Sequence, residues 1–94
     1  MKTVTIQIGN SDDKLTQKEW SQFVQWIDME VRARAEIHFF GLSPSDEEWQ
    51  NACWVANVLY DDDYPILKAM IIRVKNRFHQ SSVAWTEGKT EFIS

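Results

Sequence analysis

The feature that most constrains the fold is a helix-start signal followed by an apolar repeat of helical period. Thr16 and Glu19 have the spacing of a capping box, in which each side chain bonds the backbone amide of the other residue. Apolar side chains then recur every three or four residues, at Trp20, Phe23, Val24, Ile27 and Val31. The sequence therefore predicts an amphipathic helix over about 17–34, which needs an apolar surface to cover.

Strand patterns flank this helix on both sides. Val4, Ile6 and Ile8 alternate with polar residues, as a half-buried strand requires, and turn-forming residues follow from Gly9. Residues 36–40, Glu-Ile-His-Phe-Phe, are aromatic and β-favouring, and they lead into Gly-Leu-Ser-Pro. We predict one strand before the helix and one after it.

The stretch 49–60 is ambiguous between helix and strand. One subset of its residues fits a helical period and another favours a strand, and they share Cys53. We predict a strand, because it would pair with 36–40 across the connection at 42–49. Within that connection Ser45 and Glu48 repeat the capping-box spacing, which predicts the start of a helical turn.

The C-terminal half predicts a second helix and a final hairpin. Residues 61–63 are aspartates and Pro65 follows them, which favours a helix start there. An apolar stripe then runs to about residue 79, through Leu67, Met70, Ile71, Val74 and Phe78. Residues 81–86 and 89–93 favour strands, and Glu87-Gly88 between them is typical of a two-residue hairpin turn.

The predicted order is strand, helix, strand, strand, helix, strand, with a short extra strand at the C-terminus. This order resembles the ferredoxin-like α+β sandwich, in which two helices cover one face of an antiparallel sheet. The resemblance covers almost the whole chain, so we expect one domain over residues 1–94. Because such folds carry many unrelated functions, the resemblance implies no activity.

Composition limits the partners that this domain can take. The chain has 14 acidic and 10 basic residues and a formal net charge of −4, which disfavours binding to bulk nucleic acid. Its one cysteine, Cys53, cannot form an internal disulfide, and no signal peptide or membrane-length apolar run is present. We expect a cytoplasmic protein that does not bind membranes.

A two-layer sandwich leaves the second face of its sheet uncovered, and aromatic residues are candidates for that face. Trp54, Trp85 and Phe40 are our candidates, with His38 beside them. Three interpretations stay open: extra core packing, a face-to-face homodimer or protein docking surface, and stacking of a flat ligand. A catalytic dyad of Cys53 and His38 is a further, weaker hypothesis, since a lone strand cysteine is more often an apolar core residue.

Charged residues supply two other candidate sites. Arg73 and Arg77, four residues apart on the second helix, could clamp an anion, although we favour the simpler interpretation of solvated cations near a helix C-terminus. Acidic residues in two loops could form one edge that recognises a basic partner, or simply complement helix starts: Asp12, Asp13, Asp46, Glu47 and Glu48. No spacing matches a metal or cofactor motif, so we predict none.

These observations favour a non-enzymatic interaction domain that binds another protein or a second copy of itself. Small acidic single-domain proteins are common among phage and mobile-element accessory factors, and we expect this chain to be one of them. The alternative is a binder of a small flat anion, such as a nucleotide, through Trp54, Trp85 and the two arginines. An enzyme is the third hypothesis.

Overall fold

The computed structural model describes residues 2–10, 15–44 and 49–94. Its elements follow the predicted order, with bounds β1 Lys2–Gly9, α1 Gln17–Arg34, β2 Ala35–Leu42, β3 Asn51–Val58, α2 Asp63–Arg77 and β4 Ala84–Gly88. The four strands form one antiparallel sheet in the order β2-β3-β1-β4. This is the ferredoxin-like α+β fold, as the sequence predicts.

Two details of the predicted element list change. Residues 89–94 belong to no strand, so the extra C-terminal strand and the hairpin at Glu87-Gly88 are wrong. Both residues instead end β4, where they pair with Val4 and Thr3 of β1. The helical turn predicted from Ser45 and Glu48 lies outside the described residues.

Both helices pack on one face of the sheet, which we call the helix face. Val4, Ile6 and Ile8 are buried there, as their alternation predicts. Register brings Ala56, Trp54 and Ala52 of β3 beside them in that order. The helices cover this layer with their own buried stripes, at Trp20, Phe23, Val24, Ile27 and Val31 of α1 and at Leu67, Ile71 and Val74 of α2.

The capping box at the start of α1 is confirmed. The Glu19 amide donates to the Thr16 hydroxyl at 3.2 Å, and the Thr16 amide donates to the Glu19 carboxylate at 2.9 Å. Hydrogen bonds from the Thr16 backbone and side chain hold the pKa of Glu19 below its ordinary value. The N-terminus of α1 is therefore fixed by local chemistry, independently of its packing.

Replacing Thr16 with alanine is expected to destabilise the domain by about 1 kcal/mol, because the Glu19 amide loses its acceptor. For a domain of this size the melting temperature should fall by roughly 4–8 °C. Ser21→Ala is the matched control, since Ser21 is an exposed α1 residue that bonds only the exposed Gln25 among the described residues. Thermal unfolding followed by circular dichroism measures both, and equal melting temperatures would contradict the role of the cap.

Candidate functional site

The side of the sheet that carries no helix, which we call the open face, lacks the predicted tryptophans. Most of its strand residues are small or polar: Thr3, Thr5, Gln7, Glu36, Phe39, Gly41, Cys53, Val55, Asn57, Ala84, Thr86 and Gly88. Phe39 is the one aromatic side chain among them. The placement of Trp54, Trp85 and Phe40 on this face is wrong, and a face-to-face dimer built on them loses its residues.

Trp54 is instead part of the core on the helix face. It is fully buried, pairs with Ile6 of β1, and packs against the Phe40 ring with 5.1 Å between centroids. Its indole Nε1 donates to the Asp28 carboxylate of α1 at 2.9 Å. A buried indole N–H needs an acceptor, and Asp28 supplies one. Trp54 is thus inaccessible to any partner.

Trp85 also lies on the helix face, where it joins β4 to α2. Its ring packs edge to face on Tyr64, and its Nε1 donates to the Glu87 carboxylate at 3.1 Å. Hydrogen bonds from Tyr64 and Trp85, together with the nearby Lys68, hold the pKa of Glu87 below its ordinary value. These contacts explain Trp85 as a packing residue that joins β4 to α2.

Arg73 and Arg77 lie on the side of α2 that faces α1, away from both tryptophans. The Arg77 guanidinium stacks on the Trp26 ring, 4.4 Å from its centroid, and both arginines line a small groove with Glu30. A ligand site combining Trp54, Trp85 and the arginine pair is therefore wrong, because Trp54 is buried in the core, Trp85 packs on Tyr64 of α2, and the arginines line the groove between α2 and α1.

The remaining predicted sites are not assembled in the described residues. Cys53 pairs with Gly41 on the open face, while His38 lies three residues away along β2 beside Phe92. This placement does not support a catalytic dyad. The acidic edge, comprising Asp12, Asp13, Asp46, Glu47 and Glu48, falls entirely outside the described residues.

The structure shows another candidate site, along strand β2. A groove of about 360 Å³ runs between β2 and α1, and we call it the β2 groove. Its walls are mainly apolar, from Trp20, Val24, Phe40 and Leu42, with Ser21, Gln25 and Asp28 at its rim. Leu42 is 55% exposed although it lies on the helix face. The groove therefore offers apolar surface that the domain itself does not cover.

The backbone of β2 offers hydrogen-bonding groups beside the groove. Among residues 2–10, 15–44 and 49–94, β2 pairs with β3 on one side and with no strand on the other. The Ser43 amide donates to the Asn51 carbonyl of the β3 strand at 2.9 Å. Since antiparallel residues alternate in direction, the amides and carbonyls of Leu42 and Phe40 point outward. The same two residues thus present side chains to the groove and backbone groups to the side of β2 that faces away from β3.

Two further findings concern only the described parts of the chain. No cluster of three or more His, Cys, Asp or Glu side chains is placed there to hold a metal ion. None of the helices found there combines the length and the apolar character that crossing a membrane requires.

Fold and site together define a small ferredoxin-like α+β domain with an accessible edge strand. No protein-family model and no curated protein matches the chain. Among solved structures, the chain is similar to the C-terminal domain of the MgtC protein from Mycobacterium tuberculosis, with a TM-score of 0.62 and 10% identity over 94% of this chain and 88% of that one. At this identity the similarity supports the fold alone.

Two weaker structural similarities were found. A dimeric ferredoxin-like protein from an uncultured marine organism matches with a TM-score of 0.43 and 11% identity, over 99% of this chain and 91% of that one. A protein from Burkholderia cenocepacia that is assigned only provisionally as an amidohydrolase or peptidase matches with a TM-score of 0.41 and 10% identity over 96% of this chain. The match spans 26% of that protein. Neither similarity bears on function.

Sequence reasoning missed the β2 groove and the residues that form it. One signal was present: Phe39 and Phe40 are adjacent in a strand, so each face of the strand receives one aromatic ring. The predicted topology also places the second strand at a sheet edge. Together these two features mark a strand that is apolar on both sides and open along its backbone.

Proposed function

We propose that the domain is a non-enzymatic interaction module that binds an extended segment of a partner protein. The segment adds to the outer edge of β2 as a further strand and places side chains in the β2 groove. The observation that carries this proposal is the coincidence, at Phe40 and Leu42, of outward backbone groups and apolar side chains that line the groove, with Leu42 more than half exposed and Phe40 half-buried. Strand addition uses both, since the backbone supplies affinity and the groove supplies specificity.

The shape of β2 favours a flexible segment over a second copy of this domain. Its pairing with β3 shifts register between Ile37 and Phe39, so the strand carries a bulge near its middle. A bulge bends a strand and increases its twist, which protects an edge from pairing with another rigid sheet. A flexible partner segment can follow the bend, whereas two bulged edges would have to match along their length.

The charge of the site indicates which segments fit. Asp28, the one ionisable side chain in the lining of the β2 groove, is already ion-paired with Arg32 at 2.8 Å, whereas the whole chain has a net charge of −4. This net charge repels an acidic partner segment and attracts a basic one. The partner segment is therefore apolar and carries at least one basic residue.

Random peptides displayed on filamentous phage provide the test. Selection on the wild-type domain is expected to yield extended apolar peptides with a lysine or arginine. Leu42→Glu should weaken binding of the selected peptides, synthesised free, by at least about tenfold, because it puts a carboxylate at the groove mouth. Leu59→Glu is the matched control, since Leu59 is 48% exposed and is not part of the groove lining.

Three results would overturn the proposal. Selection without a shared pattern would mean that no such site exists. Equal affinities for the Leu42 and Leu59 variants would place binding elsewhere. A wild-type dimer in size-exclusion light scattering that Leu42→Glu converts to monomer would show that a second copy occupies the edge. The cytoplasmic location and the link to phage or mobile elements stay predictions from the sequence.

A further inference from the structure

The chain does not end at β4 but continues across the open face. We call residues 89–94 the C-terminal segment. Gly88 pairs with Thr3 of β1, and the hydroxyl of Thr90 then bonds that of Thr3. Two residues later the Phe92 ring lies 6.3 Å from the His38 ring of β2. The segment therefore passes over the sheet from the β4 edge towards the β2 edge.

This crossing brings apolar side chains to the open-face side of β2. Phe92 is 79% exposed and Ile93 is 94% exposed, so the domain itself covers little of either. Phe39, 56% exposed, lies on the same side, with its ring over Gly41. A methyl group added at Gly41 would come within 2.8 Å of that ring, so the glycine leaves the ring its place. The β2 edge thus has apolar surface on both sides.

We infer that the C-terminal segment forms the second wall of the site, and that the partner segment is apolar on both of its faces. This inference rests on the function proposed above. An added strand projects successive side chains to opposite sides. One set enters the β2 groove, and the other set meets Phe39 and Phe92. A strand covered on both faces has a nearly continuous apolar sequence, whereas a strand covered on one face alternates with polar residues.

Charge on the open-face side agrees with that on the groove side. Glu36 lies on this face of β2, and Glu91 precedes Phe92 in the C-terminal segment. Both are exposed carboxylates. A basic residue in the partner segment is therefore favoured on this side of β2. A continuous apolar run flanked by lysine or arginine is the partner chemistry that fits both walls.

The test compares one selected peptide with two derivatives. In each derivative every second residue of the apolar run is replaced by serine, so that one derivative keeps the side chains for the groove and the other keeps those for Phe39 and Phe92. On the wild-type domain both derivatives should bind at least about tenfold more weakly than the parent peptide. A domain carrying Phe92→Ser and Ile93→Ser should show a smaller difference in affinity between the parent peptide and the groove-keeping derivative than the wild-type domain, because Phe39 alone then remains on that side. Binding of the other derivative should stay weak.

Ile66→Ser with Ile72→Ser is the matched control, because both are half-exposed isoleucines of α2, and it should behave as wild type. A derivative that binds wild type as well as its parent would overturn the second wall. Tighter binding by the Phe92 and Ile93 variant would also overturn it, since the segment would then compete with the partner. In both cases continued sensitivity to Leu42→Glu would leave the proposed function intact, whereas lost sensitivity would overturn both proposals.

Discussion

Replacing Trp54 with alanine is expected to lower the free energy of unfolding by about 3–5 kcal/mol. Trp54 is fully buried between Ile6 and Phe40, so truncation leaves a large cavity in the middle of the sheet. It also removes the donor to Asp28. Since a domain of this size has a total stability of roughly 5–14 kcal/mol, the change removes a large share of it.

Urea unfolding followed by tryptophan fluorescence or circular dichroism measures this loss. Trp85→Ala is the control, because Trp85 is half-buried at the edge of the sheet, and its cost should be less than half as large. Trp54→Phe keeps most of the ring volume and guards against a variant that does not fold. Equal losses for Trp54→Ala and Trp85→Ala would contradict the core position of Trp54.

The elements of this fold could be predicted because their signals are local. The Thr16 and Glu19 cap and the stripe after it define α1 without reference to the rest of the chain. The alternation around Ile6 likewise defines β1 and its buried face. For 51–58 the local patterns conflict, and pairing with its neighbours resolves them in favour of a strand. This argument was available from the sequence because the order of elements implied the pairing.

The faces of the later strands could not be predicted because they depend on non-local register. In β2, simple alternation puts Ile37 with Phe39 and leaves Phe40 on the other side. The bulge between Ile37 and Phe39 reverses this, so Ile37 and Phe40 share the helix face. In β3 and β4 the alternation is sound, but only pairing with Ile6 shows that Trp54 and Trp85 lie under the helices.

The C-terminal segment shows a second limit of the sequence. Residues 89–93 have the composition of a strand, yet they cross the sheet and do not extend it. Thr90 and Phe92 contact Thr3 and His38 through their side chains, and residues 89–94 belong to no strand. The composition of a segment shows only that it suits an extended backbone. Whether it pairs at an edge or lies over a face depends on contacts distant in sequence.

Replacing Asp28 with alanine is expected to cost about 2 kcal/mol of stability, because the buried Trp54 N–H is left without an acceptor. Asp28 also accepts from Arg32 at 2.8 Å, but Arg32 is exposed, and Arg32→Ala should cost no more than about 0.5 kcal/mol. A double-mutant cycle separates these effects, since Asp28→Ala in a Trp54→Phe background removes no partner from a buried donor. The cost of Asp28→Ala should then fall to that of the surface pair alone, measured by urea unfolding. An unchanged cost in that background would show that Asp28 does not stabilise the domain through its hydrogen bond with the Trp54 indole. The core would then not set the orientation of the Asp28 carboxylate in the β2 groove.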